Sequence, residues 1–350
     1  MRGIHLGSRP PAKLCGYALA AVTVNATVPA TVTGWDCGGV ALVTSPSRSV
    51  VVLGMHRSGT SVVTRVISLL GLSLCREKDL YAAPDNPTGH WESTSLVAFN
   101  DRLLSLFGGI PAAPAAMGDG WESHESAVAL YDEAYRVFRR AHGAAVWVWK
   151  DPRTCLTLPF WRRVLSESPA AVFVHREPLE VALSLQRRDG FGKAHCIAQW
   201  ERYSRSALRG AAGMPLVTVR FAELVADPVS AVAQLRADLT ALGVPVLSDS
   251  GPAAQFVAAE RAVNRHLRLS LAADPDATGA QRVLLAALDS LPRACAPFGA
   301  PDLGTESAST TELLSAIRQR GISPPGLRVV AREIWPAVRR SASSRLAHKA

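Results

Sequence analysis

Apolar residues along this chain follow two alternating rhythms. Short unbroken runs appear at Ser49–Leu53, at 146–150 with valine and tryptophan in turn, at 170–174 and at 215–219. Runs of this length suit strands covered on both faces, as in a parallel sheet. Between them, apolar residues recur at helical spacing. Val62, Val63, Val66, Ile67 and Leu70 lead to a glycine stop at Gly71; Leu96, Val97, Phe99, Leu103, Leu104 and Phe107 lead to Gly108 and Gly109. Helices are also expected over 126–142, 158–165, 178–188 and 194–208. Beyond Pro228 the pattern is mostly helical, over 229–242, 255–269 and 281–291, with a linker-like loop over 292–304. The run Ser309-Thr310-Thr311-Glu312 reads as a capping box that opens one more helix. Strands alternating with helices predict an α/β fold, with ligands outside the carboxyl ends of a parallel sheet. The expected organisation is a core over 49–245, a helical C-terminal part over 246–350 that completes the domain, and a poorly ordered extension over 1–48.

That extension holds a mildly apolar run from Leu14 to Val32, behind Arg2, Arg9 and Lys13. Thr23, Asn25, Thr27, Pro29 and Thr31 interrupt it, which is poor for a spanning helix of about 20 apolar residues. A signal or anchor is the alternative reading.

The chemistry gathers where the first strand ends. Gly54-Met55-His56-Arg57-Ser58-Gly59-Thr60-Ser61 is a glycine-bounded loop opening a helix. Such a loop aims backbone N–H groups and a helix N-terminus at an anion, usually a phosphate. Gly54 and Gly59 have the spacing of the triphosphate loop G-x-x-x-x-G-K-[ST], but Thr60 stands where its lysine belongs. A cation, Arg57, lies inside the loop instead. The loop therefore suits a shorter 5′-phosphate group, and a nucleotide-dependent kinase is disfavoured. Thr60 or Ser61 is the expected helix cap.

Four segments in order resemble the sulfotransferase family: this loop, Asp85-Asn86-Pro87-Thr88-Gly89-His90-Trp91-Glu92, Trp149-Lys150-Asp151-Pro152-Arg153, and Arg176-Glu177-Pro178 followed by Ser184. The resemblance spans about Ser49 to Pro228. It implies a three-layer, P-loop NTPase-like α/β fold with a central parallel sheet flanked by helices. It also implies transfer of a sulfuryl group from 3′-phosphoadenosine-5′-phosphosulfate (PAPS) to a hydroxyl on a carbohydrate, glycolipid or other metabolite, without a metal. Arg57, Ser58, Gly59, Thr60 and Ser61 would hold the 5′-phosphosulfate, and Arg176 with Ser184 the 3′-phosphate. Glu92 is the candidate base, with His56 and His90 as fallbacks and capping of the next helix as the alternative role of Glu92. Lys150 and Arg153 would face the transferred group, or else join Asp151 in an ion pair that shapes the loop. The family's late Arg-Lys-Gly loop is absent; Asn264-Arg265-His266-Leu267-Arg268 would take its place. Arg220-Phe221-Ala222-Glu223-Leu224 departs from the Tyr-Glu-Asp-Leu form common in relatives. A PAPS- or PAP-binding protein without turnover is the non-enzyme alternative.

Composition adjusts this picture little. Apolar residues make up 48% of 350, enough for a full core. The net charge of +9 and pI near 9.6 favour an anionic ligand, an acidic acceptor or a membrane surface. No nucleic-acid-reading motif is present, and aromatics are only 6%. The six cysteines form no C-x-x-C pair and no zinc spacing, which fits a reducing cytoplasm.

Overall fold

The structure is a computed structural model that describes residues 49–81, 89–144, 146–261 and 269–320. The expectations for 1–48, for Asp85 to Thr88, for 262–268 of the helix expected over 255–269, for the Asn264–Arg268 run and for the basic tail from Arg339 lie outside the described residues. In chain order, β1 (Val50–Leu53) is followed by α1 (Thr60–Leu69), α2 (Thr94–Leu106), α3 (Glu125–Val128) and α4 (Tyr131–Ala141). Next come β2 (Val148–Lys150), α5 (Thr154–Val164), β3 (Ala170–His175), α6 (Pro178–Asp189) and α7 (Lys193–Ala211). β4 (Leu216–Arg220) leads through α8 (Phe221–Ala226), α9 (Pro228–Ala241) and α10 (Gly251–Arg261) to α11 (Gly279–Asp289), β5 (Ala294–Cys295) and α12 (Ala308–Arg320).

The strands form one sheet in the order β2-β1-β3-β4-β5, parallel except for β5. Val51 lies opposite Trp149 on one side and Ala171 on the other. The unbroken apolar runs reflect burial on both faces. Val50, Val52, Val148, Val172 and Val174 enter one core, built with α1, α8, α9 and α10. Val51, Leu53, Trp149, Ala171 and Phe173 enter the other, built mainly with α2, α4, α5, α6, α7 and α11. Period-two alternation thus divides each strand between two helical layers. The result is the expected three-layer α/β architecture.

β1 is flanked by β2 on one side and β3 on the other, so the chain reverses its direction of travel across the sheet there. The crevice at such a switch point, outside the carboxyl ends of the strands, is where α/β sheets bind ligands.

Three local expectations change. The helix expected over 126–142 breaks into α3 and α4. The expected loop over 292–304 contains β5, which pairs antiparallel with β4, Ala294 opposite Val217 and Cys295 opposite Leu216. Two residues are too few to print a periodicity. α12 starts before the predicted capping box: Thr310 N–H donates to Ser307 Oγ at 3.4 Å. The reason is tertiary. The buried Glu201 carboxylate on α7 accepts from Ser307 N at 2.8 Å, Ser307 Oγ at 2.6 Å and Thr310 Oγ1 at 2.7 Å, and from Gln281 of α11 at 3.1 Å. Burial pushes this carboxyl up, and the sum of these hydrogen bonds brings it below its usual range.

Candidate active site

An open cleft of about 660 Å³ lies at the carboxyl ends of the strands. Of the residues singled out in the sequence, His56, Arg57, Gly59, Thr60, Ser61, His90, Glu92, Lys150 and Arg176 line it. They arrive from the ends of β1, β2 and β3 and from the loop before α2.

The loop after β1 is built by backbone conformation. Gly54 and Gly59 have φ of +147° and +93°, and Arg57 adopts +68°, uncommon for a residue with a side chain. A Cβ on Gly59 would stand 2.2 Å from the Phe221 ring, so only glycine fits. Ser58 N–H closes a turn on the Met55 carbonyl at 3.1 Å, and Ser58 itself is buried and does not line the cleft, unlike its expected neighbours in the loop. The cap of α1 is Gly59, with no side-chain cap hydrogen bond, in place of the expected Thr60 or Ser61. The first N–H groups of a helix have no partners within it. Together with the helix dipole they make this end chemically suited to an anion.

Cations converge on that end. Arg57 Nε donates to Ser184 Oγ on α6 at 2.9 Å, and Arg176 Nη1 donates to the Arg57 carbonyl at 3.1 Å. Arg176 is steadied by Glu180 one turn along, at 3.1 Å, and by the Phe221 ring, 4.9 Å from its guanidinium. The segments expected for the 5′- and 3′-phosphates are therefore in direct contact. Ser184 does not itself line the cleft but lies behind Arg57.

Glu92 and Lys150 also line the cleft, next to the start of α1. Lys150 Nζ contacts Glu92 Oε1 at 2.5 Å and donates to Ser61 Oγ at 3.2 Å. Both charged side chains are more than nine-tenths buried. Burial would raise the Glu92 carboxyl, but the charges of Lys150 and Arg153 outweigh it and hold the group below its usual range. Glu92 is not the cap of α2: Ser93 fills that place, its hydroxyl accepting from Leu96 N–H at 3.1 Å. Arg153 stands back from the cleft, paired with Asp101 at 2.5 Å and Asp151 at 3.1 Å. Of the ion pair considered for this segment, Arg153 and Asp151 form it, whereas Lys150 lines the cleft and pairs with Glu92 instead.

His56 also faces the cleft, with its ring edge against Tyr203 at 5.7 Å. Burial, then the positive charge of Arg188, Arg153 and Lys150, keeps it well below the usual histidine range, hence neutral near pH 7. The His90 carbonyl accepts from Ser61 Oγ at 3.4 Å and so helps to hold the start of α1.

Arg188, Phe221, Phe256 and Glu260 line the cleft as well, and sequence patterns do not single them out as site residues. Arg188 follows Ser184 by four positions and shares its helix face, a signal that could have been read. Phe256 and Glu260 come from α10, brought over by packing against α1, which no local pattern announces. Arg220, beside Phe221, turns away and donates to the Asp289 and Leu291 carbonyls, both at 2.8 Å.

Fold and site together describe an α/β protein with a cationic cleft at the switch point of a mostly parallel sheet. The chain belongs to the sulfotransferase family, whose sequence model matches residues 49–248. It is similar in structure to the sulfotransferase domain from the Synechococcus PCC 7002 olefin synthase, at 16% identity and a TM-score of 0.36, over 80% of this chain and 96% of that one. It is also similar to the sulfotransferase domain from the curacin biosynthetic pathway, at 14% identity and 0.34, over 80% and 99%. A third is the sulfotransferase STF1 from Mycobacterium tuberculosis H37Rv, at 17% and 0.34, over 62% and 72%. No curated protein sequence matches the chain. Among the described residues, no helix is long and apolar enough to cross a membrane.

Proposed function

We propose that this sulfotransferase takes its sulfuryl group from PAPS and passes it to a hydroxyl of a carbohydrate, glycolipid or other metabolite. The observation that carries the reading is the contact chain Ser184–Arg57–Arg176, which sets two guanidinium groups and a hydroxyl beside the N-terminus of α1. This is a cradle for a ligand with two separated phosphates. Glycine at 59 gives room to the Phe221 ring, which in turn carries the Arg176 guanidinium, so the residues present fit such a donor.

When bound, the donor supplies a sulfuryl group already activated by its bridge to a 5′-phosphate. Arg57 and the N–H groups at the start of α1 hold the 5′ end, and Arg176 holds the 3′-phosphate, with Ser184 fixing Arg57 from behind. Lys150 is placed to offset charge that develops as the bridge breaks, a role worth most in a dry site. Glu92 takes the acceptor's proton. Two arginines and a lysine supply the positive charge that phosphoryl transfer takes in part from magnesium.

The test is incubation with ³⁵S-labelled PAPS, EDTA and a panel of hydroxyl-bearing acceptors. Label transferred to an acceptor supports the reading. Tight binding of PAP without transfer to any acceptor identifies a binding protein instead, and a strict need for magnesium with ATP identifies a kinase.

A further inference from the structure

Beneath the Glu92–Lys150 pair lies a buried polar cluster that the reaction does not touch. Arg153 Nε donates to Asp101 Oδ1 at 2.5 Å, and its Nη1 donates to Asp151 Oδ1 at 3.1 Å. The Arg153 backbone N–H donates to the same Asp151 oxygen at 3.0 Å. Asp151 Oδ2 accepts from Asn100 Nδ2 at 2.8 Å. Asn100 Oδ1 in turn accepts from Thr157 Oγ1 at 3.0 Å and Trp161 Nε1 at 2.8 Å. Asn100 and Asp151 are wholly buried, so α2, the end of β2 and α5 fix this cluster in one arrangement.

The cluster ends at the cleft. Arg153 Nη1 stands 4.0 Å from Glu92 Oε2. That is too long for a hydrogen bond but close enough for strong Coulomb attraction where water is excluded. The two oxygens of Glu92 therefore differ. Oε1 is occupied by Lys150. Oε2 takes no hydrogen bond among the described residues and feels the guanidinium without being capped by it.

We propose that Arg153 is a positioning residue which, pinned by Asp101 and by the Asn100–Asp151 pair, keeps a fixed positive charge 4.0 Å from Glu92 Oε2 while leaving that oxygen open to receive the acceptor's proton. The catalytic part of this inference rests on Glu92 being the base. The cluster suits the task because its charges are fixed rather than mobile. A flexible cation would swing onto Oε2 and block it, whereas the fork of Arg153 is already engaged on two carboxylates. The groups facing Glu92 are Lys150, Arg153 and Asp151 from the β2 end, His90 from its own loop and Cys75, whose Sγ lies 3.8 Å from the Glu92 carbonyl. Of these only Lys150 and Arg153 are permanent cations; Lys150 is taken up by Oε1, so Arg153 is the one beside Oε2.

The test is a ¹³C-carboxyl NMR titration of Glu92 in the ligand-free protein, alongside the pH profile of kcat. Arg153→Met should raise the Glu92 pKa by about one pH unit or more, the scale for losing a close opposite charge. The acidic limb of kcat should move up with it, and KM for the donor should hold. Arg153→Lys should restore the pKa to within a few tenths. If the Met variant does not fold, Arg153→Gln with Asp101→Asn removes the cation together with its carboxylate and should still raise the pKa. An unmoved Glu92 titration in whichever of these variants folds, with only a lowered melting temperature, would overturn the inference. A raised pKa with an unmoved kcat profile would overturn its catalytic half and the assignment of Glu92 as base, leaving the donor reading intact.

Discussion

Arg57 Nε and Ser184 Oγ meet at 2.9 Å across 127 positions of sequence, joining the loop after β1 to the first turns of α6. The contact couples two phosphate-directed segments, since Arg176, just before α6, also holds the Arg57 carbonyl. A ligand that spans both should gain from a site already assembled, because little need be ordered on binding.

That coupling makes a prediction about ligand preference. Calorimetry should find 3′-phosphoadenosine-5′-phosphate bound far more tightly than AMP, which lacks the 3′-phosphate. Arg176→Ala should cost PAP about 2 to 3 kcal/mol, the scale of a charge-assisted hydrogen bond. AMP should lose less, because for AMP the substitution only loosens the Arg57 carbonyl. Equal affinities of PAP and AMP for the unaltered protein would remove the 3′-phosphate assignment.

Gly59 gives a prediction about the cradle itself. Its φ of +93° and the 2.2 Å approach of a Cβ to Phe221 make alanine both strained and overpacked. Gly59→Ala should destabilise by about 2 to 4 kcal/mol. In a double-mutant cycle with Phe221→Ala, the pair should cost clearly less than the two changes added, because the smaller side chain removes the clash. Strict additivity in denaturant melts would show that the ring does not limit this position.

Much of the site was legible before the fold, and the reasons differ by residue. Valine-rich β1 is covered on both faces, so composition alone marked it, and the glycines of its loop marked the turn. Strand ends are where charges can emerge from such a sheet, which brought Lys150 and Arg176 into view. Lys150 and Arg153 looked equivalent, three positions apart. Their separation depends on one residue ending a strand and the other starting α5, so that one side chain enters the cleft and the other the cluster behind it. Phe221 and Phe256 were hidden for another reason: an aromatic residue on an amphipathic helix reads as core wherever it goes. The start of α12 depends on Glu201, 106 positions from Ser307, and no local capping rule sees such a partner.

His142 predicts how stability depends on pH. Its ring is buried against Phe138 and Trp147, and both nitrogens lack hydrogen-bond partners among the described residues. Burial lowers it from 6.5 to about 4. The unfolded chain therefore binds a proton between those values while the folded protein does not, so stability is full above pH 6.5 and falls as pH drops toward 4. This one group accounts for about 3 kcal/mol of that loss, at 1.36 kcal/mol per pH unit. His142→Phe should flatten that part of the curve. Denaturant melts of both proteins at pH 7 and pH 4.5 measure it, and parallel losses in the two would locate the acid sensitivity elsewhere.

Glu92→Gln separates chemistry from binding and from stability. Glutamine keeps the shape and can still accept from Lys150, but it cannot take a proton. If Glu92 is the base, kcat should fall by roughly 10²- to 10⁴-fold. PAP affinity should hardly change, because the donor contacts are assigned to Arg57, Arg176 and the start of α1 rather than to Glu92. Stability should also fall, since Lys150 is 1% exposed and would lose its anionic partner. Breaking a buried pair from one side costs about 3 to 5 kcal/mol, though here the Ser61 hydroxyl still accepts from Nζ and should soften the loss. Turnover must therefore be measured well below the melting temperature, on protein shown to be folded. Arg57→Ala should behave differently, weakening donor binding and turnover together, because its contacts serve both ground and transition states. Near-normal turnover in Glu92→Gln would leave the ion pair as the purpose of Glu92 and pass the role of base to neutral His56, which faces the same cleft.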